Sequence, residues 1–86
     1  MVEIPKIRGT ILIVDDEPNM LWFIAQTCQP RGFNTLTAGS GMEALKIVQE
    51  CGEKLDLILL DLKMPGMGGI EVLRSIHKHH PELPVI

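Results

Sequence analysis

Two short apolar runs in this chain end in carboxylates. Ile11-Leu12-Ile13-Val14 is followed by Asp15-Asp16-Glu17-Pro18, and Leu57-Ile58-Leu59-Leu60 by Asp61, with Lys63, Pro65 and Gly66 close behind. Carboxylates gathered in one place repel one another unless some protonate or a cation neutralises them. Hard oxygen donors in this number suit Mg²⁺, which keeps several waters and often bridges to a phosphate. With that ion present, an anionic phosphoryl group can approach an anionic nucleophile. Asp61 is the best nucleophile of the three, a lone acid at the end of an apolar run, and a carboxylate can form an acyl-phosphate. Asp15 and Asp16 suit the role of metal holders. The backbone carbonyl of Lys63, two residues past Asp61, offers a further oxygen.

That chemistry requires neighbouring strands. Four apolar residues in a row show no polar alternation, so both faces of each segment call for burial, as in a central parallel strand. The acids then stand at the carboxyl edge, where open α/β sheets place their ligand sites. Adjacent strands lie about 4.8 Å apart, so only adjacency lets Asp15, Asp16 and Asp61 share one ion.

Taken in order, the chain predicts an entry arm over residues 1–9 and a first strand from about Thr10 to Val14. Pro18 suits the first turn of a helix. Leu21, Ile24, Ala25 and Cys28 share one helical face. Pro30 is expected to stop that helix and Gly32 to supply a left-handed exit. A second strand covers Phe33 to Ala38. Ser40 and Glu43 form a capping box opening helix two, whose buried stripe is Ala44, Leu45, Val48 and Cys51. The third strand is expected over Leu55 to Asp61. Ile70, Leu73 and Ile76 mark helix three, which ends in Arg74, His77, Lys78, His79 and His80, cations well placed for the helix dipole. Pro84-Val85-Ile86 begins a fourth strand.

The order βαβαβαβ predicts an α/β fold with a parallel sheet and right-handed crossovers. With strand one between strands two and three, helices one and two cover opposite faces. Cys28 and Cys51 then lie in different layers, too far apart for a disulfide.

Eighty-six residues make one small domain, and a net charge of −3 without a basic stripe argues against direct nucleic-acid binding. No segment has the length of a membrane span, and the start lacks the apolar core of a signal peptide, so a cytoplasmic location is expected.

Simpler readings exist for each feature. An Asp pair before a helix is often an N-cap; two acidic units at matching strand ends weigh against that. His77, His79 and His80 do not share one helical face and read as a solvated helix end. Ser40 reads as a cap, and the two cysteines as core thiols.

The segments Ile11–Pro18 (ILIVDDEP), Ala38–Ala44 (AGSGMEA) and Leu57–Ile70 (LILLDLKMPGMGGI) resemble the receiver domain of two-component response regulators. The resemblance runs from about Thr10 to Ile86. It implies a doubly wound, flavodoxin-like sheet of order 2-1-3-4-5 flanked by five helices. It implies that Asp61 takes a phosphoryl group from a histidine kinase or phosphotransfer protein. Asp15 and Asp16 match the family's Mg²⁺-binding acids, and Lys63 its carbonyl ligand. Such a domain is a signalling switch rather than an enzyme.

Two departures from the family pattern stand out. Similar receivers usually read Met-Asp-Gly where this chain has Met67-Gly68-Gly69, so Gly68 provides no side-chain cap for helix three. The family pattern also continues past Ile86. There a Ser or Thr follows the fourth strand and a Lys follows the fifth, both contacting the phosphoryl oxygens. Lys6, Lys46, Lys54, Lys63 and Lys78 do not sit where that lysine belongs. The expectation is therefore a receiver unit over residues 10–86 after an arm over 1–9. It would be incomplete after the start of its fourth strand, lacking the fifth strand and last two helices, and would control an output module outside these residues.

Such a sheet ends in unpaired backbone groups. The isolated segment is then expected either to be unstable or to complete itself as a homodimer, by edge pairing or strand exchange. Met20, Trp22 and Phe23 make helix one apolar over much of its girth, which favours burial on more than one side. In the family, the exposed part of helix one is where the phosphodonor docks. The competing function is an interaction or dimerisation module without phosphoryl chemistry. A hydrolase working through an aspartyl-phosphate ranks lower, because Lys63 stands where those enzymes usually carry a second Asp. Dinucleotide binding fails for want of a Gly-rich turn after strand one.

Overall fold

The computed structural model describes residues 8–66 and 68–86. The expected arm over 1–9 lies almost wholly outside the described residues. Three parallel strands form the sheet, in the order β2-β1-β3. β1 is Gly9–Val14, β2 is Phe33–Ala38 and β3 is Leu57–Leu60. Val14 is paired with Ala38 on one side and Leu60 on the other, so all three strands end at one level. A further segment runs parallel to β3 through an isolated bridge between Ile58 and Val85. Its bonds are Ile58 N–H to the Pro84 carbonyl, 3.0 Å, Ile86 N–H to the Ile58 carbonyl, 2.9 Å, and Leu60 N–H to the Ile86 carbonyl, 2.9 Å. The described order is thus 2-1-3, with the start of a fourth strand beside β3, as the sequence predicts.

The apolar runs are buried on both faces because their side chains alternate between two layers. Leu12, Val14 and Ile58 enter one cluster with Ala44, Val48, Val72 and Ile76. Ile11 and Ile13 enter the other with Ala25, against Leu21, Ile24 and Cys28. Each fully buried aliphatic side chain here contributes about 1.5–3 kcal/mol relative to exposure. Helix α1, Pro18–Cys28, therefore covers one face. Helices α2, Gly41–Cys51, and α3, Gly69–His79, cover the other and pack against each other. Cys28 and Cys51 are free thiols.

Local signals explain most boundaries. Pro18 opens α1, and the chain leaves through a 3₁₀ turn, Gln29–Arg31, before Gly32 at φ 91° turns it into β2. Pro30 lies within that turn rather than ending α1 by itself. Ser40 Oγ accepts the Glu43 N–H at 3.1 Å, but the Glu43 carboxylate returns to the Gly39 N–H instead of that of Ser40. The capping box is thus displaced by one residue on its return arm.

Three expectations need correction. β3 is shorter than Leu55 to Asp61. Leu55 N–H closes a 3₁₀ turn onto the Gly52 carbonyl, 3.2 Å. Asp56 then ties itself to Thr10 twice, by N–H to carbonyl at 2.9 Å and by Oδ2 accepting the Thr10 N–H at 2.8 Å. A carboxylate replaces the backbone acceptor, and the regular strand begins one residue later. The stripe of α3 is Gly69, Val72 and Ile76, whereas Ile70 is 48% exposed. Among the described residues helix one is buried on one side only: Trp22 is 65% and Phe23 61% exposed, and Met20 is exposed as well.

Candidate functional site

The site is built from backbone positions just past the strand ends. Asp15 N–H donates to the Ala38 carbonyl at 3.1 Å, and Asp61 N–H to the Val14 carbonyl at 3.0 Å. These bonds carry the parallel ladder one residue beyond β1 and β3 and fix both acids on the carboxyl edge. The side chains then fold back alike. Asp15 Oδ1 accepts the Glu17 N–H at 2.9 Å, and Asp61 Oδ1 accepts the Lys63 N–H at 3.0 Å. Each turn uses one carboxylate oxygen and leaves the other available. Asp16 takes part in no hydrogen bond among the described residues.

Asp15, Asp16 and Asp61 each present a carboxylate oxygen to a common point, all three within 4.8 Å of one another. Asp15 and Asp61 are half-buried and Asp16 is exposed. The Asp pair is not a helix cap: the N-cap of α1 is Glu17, whose side chain makes no capping bond. Among the described residues no Lys or Arg forms an ion pair with these acids; the one pair found joins His80 to Glu82 at 3.9 Å. Among the described residues no salt bridge offsets this negative charge. An all-oxygen donor set without a built-in cation matches the preference of Mg²⁺.

The loop after Asp61 is anchored rather than free. Met64 is buried and joins the core beneath α3. Gly69 then seats the start of α3 against the Asp61–Leu62 backbone. Neither was singled out from the sequence. An apolar residue directly before Pro65 was the available signal for Met64. Gly68 is the N-cap of α3 and supplies no side-chain bond, as expected. His77 and His79 are exposed, and among the described residues the histidines join no metal-like cluster. A cavity of about 430 Å³ opens between α2 and α3, lined by Leu45, Val48, Gln49, Ser75, Ile76, His79 and His80. None of the three acids borders it.

The response regulator receiver domain family model matches residues 11–86. The chain belongs to that family. This receiver domain is 38% identical over 78 residues to the sensor kinase CckA of Brucella abortus, covering 91% of this chain and 8% of that protein. It is 34% identical over 77 residues to the probable transcriptional regulatory protein TcrX of Mycobacterium tuberculosis, covering 90% of this chain and 32% of that protein. Among solved structures, a response regulator receiver domain protein from Clostridium thermocellum superposes with a TM-score of 0.87 at 36% identity, covering 90% of this chain and 61% of that one. The response regulator TrrA of Thermotoga maritima, in complex with Mg²⁺ and BeF, gives 0.84 at 38% identity, over 90% and 65%. The chain thus spans about a third or less of these two relatives and under two thirds of these two solved chains.

Receiver domains are signalling modules of two-component systems. They accept phosphoryl groups, bind Mg²⁺ at an acidic site and interact with histidine kinases or phosphotransfer proteins. No described helix of this receiver is long and apolar enough to cross a membrane.

Proposed function

We propose that Asp61 is the phosphoacceptor of this receiver and that a histidine kinase or phosphotransfer protein is its donor. The observation that carries the reading is the convergence of Asp15, Asp16 and Asp61 within 4.8 Å from two adjacent strand ends. Mg²⁺ fits this oxygen set, held by Asp15, Asp16, Asp61 and the Lys63 carbonyl; when bound, it supplies the positive charge that lets a phosphoryl donor meet a carboxylate. The chain's own residues do the rest. The Asx turn holds Asp61 Oδ1 on the Lys63 N–H and leaves its second oxygen to attack phosphorus. The new O–P bond forms as the donor's N–P bond breaks, and the donor imidazole keeps the electron pair. The modified domain then controls an output module outside these residues. Residues 10–86 act as the receiver unit, in the cytoplasm and without direct nucleic-acid contact.

The test is incubation with acetyl phosphate and Mg²⁺, read by intact-protein mass spectrometry. One phosphoryl group is expected on the unmodified chain and none on Asp61→Asn. Equal labelling of both, or none on either, overturns the reading.

A second reading, an interaction module without phosphoryl chemistry, rests on the sheet edge. β2 is the outer strand of the described sheet, and an outer strand is a template for pairing with another copy. Sedimentation analysis showing a homodimer that does not respond to acetyl phosphate favours it; a monomer at all concentrations removes it.

A further inference from the structure

Two adjacent glycines follow the Met64–Met67 loop, and the structure treats them differently. A Cβ placed on Gly68 meets nothing within 4 Å. A Cβ placed on Gly69 meets the Leu62 Cα, the Asp61 carbonyl oxygen at 2.8 Å and Leu62 Cδ2 at 3.0 Å. Two of these three atoms are backbone and cannot swing aside as a side-chain tip can. They belong to the peptide that joins Asp61 to Leu62. That peptide is also part of the turn in which Asp61 Oδ1 accepts the Lys63 N–H. On its other side, Asp61 is tied to Val14 by a ladder bond of 3.0 Å. The Asp61–Leu62 segment is therefore clamped between β1 and the first residue of α3.

We propose that Gly69 is a positioning residue for Asp61: its missing side chain lets α3 press on the Asp61–Leu62 peptide and hold the carboxylate in its turn. Gly69 touches neither the ion nor the phosphoryl group. It acts through the backbone, and the proposal deepens the phosphoacceptor reading given above. Any side chain at Gly69 must displace either the start of α3 or the Asp61–Leu62 peptide. α3 is held by Val72 and Ile76, both fully buried, whereas Leu62 is 52% exposed, so the displacement falls largely on the Asp61–Leu62 peptide. The turn then opens and the three acids lose their common focus. Trimming Leu62 does not relieve this, because the nearest atoms are main-chain.

The experiment compares the unmodified chain with Gly69→Ala and Gly68→Ala, below the melting temperature of each. Two quantities are read: NMR hydrogen-exchange protection of the Lys63 amide without metal, and Mg²⁺ affinity by calorimetry. Gly68→Ala is expected to match the unmodified chain in both. Gly69→Ala is expected to lose Lys63 protection and to bind Mg²⁺ at least tenfold more weakly, and Leu62→Ala is not expected to rescue it. Equal behaviour of the two alanine variants, or rescue by Leu62→Ala, overturns the proposal. If the unmodified chain binds no Mg²⁺, the phosphoacceptor reading fails, and the metal-free Lys63 measurement still decides the role of Gly69. Should Gly69→Ala not fold, the unmodified chain supplies a second measurement. An NOE between the Gly69 and Leu62 α-protons is expected, with both resonances moving as Mg²⁺ is added. Absence of that NOE, or resonances that stay still while Mg²⁺ binds, overturns the proposal.

Discussion

Asp61 donates its backbone N–H to the carbonyl of Val14 across a 3.0 Å bond, one residue past the last regular pair of β1 and β3. The acid's main chain is therefore held by the sheet and its carboxylate by the turn to Lys63. The two restraints are separable by mutation.

Asp61→Asn keeps an Oδ1 able to accept the Lys63 N–H. Without metal its stability should rise, because like-charge repulsion with Asp15 and Asp16 is relieved, while labelling disappears. Asp61→Ala removes the acceptor as well. It should be about 1 kcal/mol less stable than Asp61→Asn, the net worth of one such bond. Urea melts without metal check the difference.

Asp16 contributes charge to the acidic focus but no hydrogen bond among the described residues. Without metal, Asp16→Asn removes like-charge repulsion at no structural cost, so the thermal midpoint should rise. In Mg²⁺ the order should reverse, because the variant loses a ligand. A tenfold weaker affinity, about 1.4 kcal/mol, is expected. Thermal scans with and without Mg²⁺ give both signs from one protein.

Val72 and Ile70 separate the real stripe of α3 from the one predicted. Val72 is fully buried in the cluster that also holds Met64, while Ile70 is 48% exposed. Val72→Ala should cost about 2 kcal/mol through lost burial and a residual cavity, and Ile70→Ala under about 0.5 kcal/mol. Denaturant midpoints distinguish them.

Gly52 sits under the ring of His80: a Cβ there would lie 2.8 Å from Cε1 and Nε2. Gly52→Ala alone should destabilise by about 1 kcal/mol, the low end for overpacking, because the His80 ring is a side-chain end that can shift. Its φ of −57° is one that alanine adopts without strain. In a His80→Ala background the same change should therefore stabilise, by about 0.4–1 kcal/mol. A double-mutant cycle reads the change of sign.

How far the sequence carried depended on how local each signal was. β2 was legible to the residue because Phe33–Ala38 lies between Gly32 and the Ser40 cap. The acidic edge was legible because two apolar runs with matching ends belong on neighbouring strands. β3 was overextended at its start because Asp56 contacts Thr10, 46 positions away, and no pattern within the run announces it. The α3 stripe was misjudged because its phase depends on where the helix begins. Gly68-Gly69 offers no capping side chain to mark that point. The close seating of Gly69 on Leu62 is likewise a contact between segments, which glycine alone does not advertise.

Trp22 is the sole tryptophan of the chain and stands 65% exposed on the uncovered side of α1. Its indole is therefore a built-in optical reporter for that surface. Emission should start at the long wavelengths typical of hydrated indole and move to the blue when any protein settles over α1. Occupancy of this surface is thus measurable by unlabelled fluorescence titration, independently of events at Asp61.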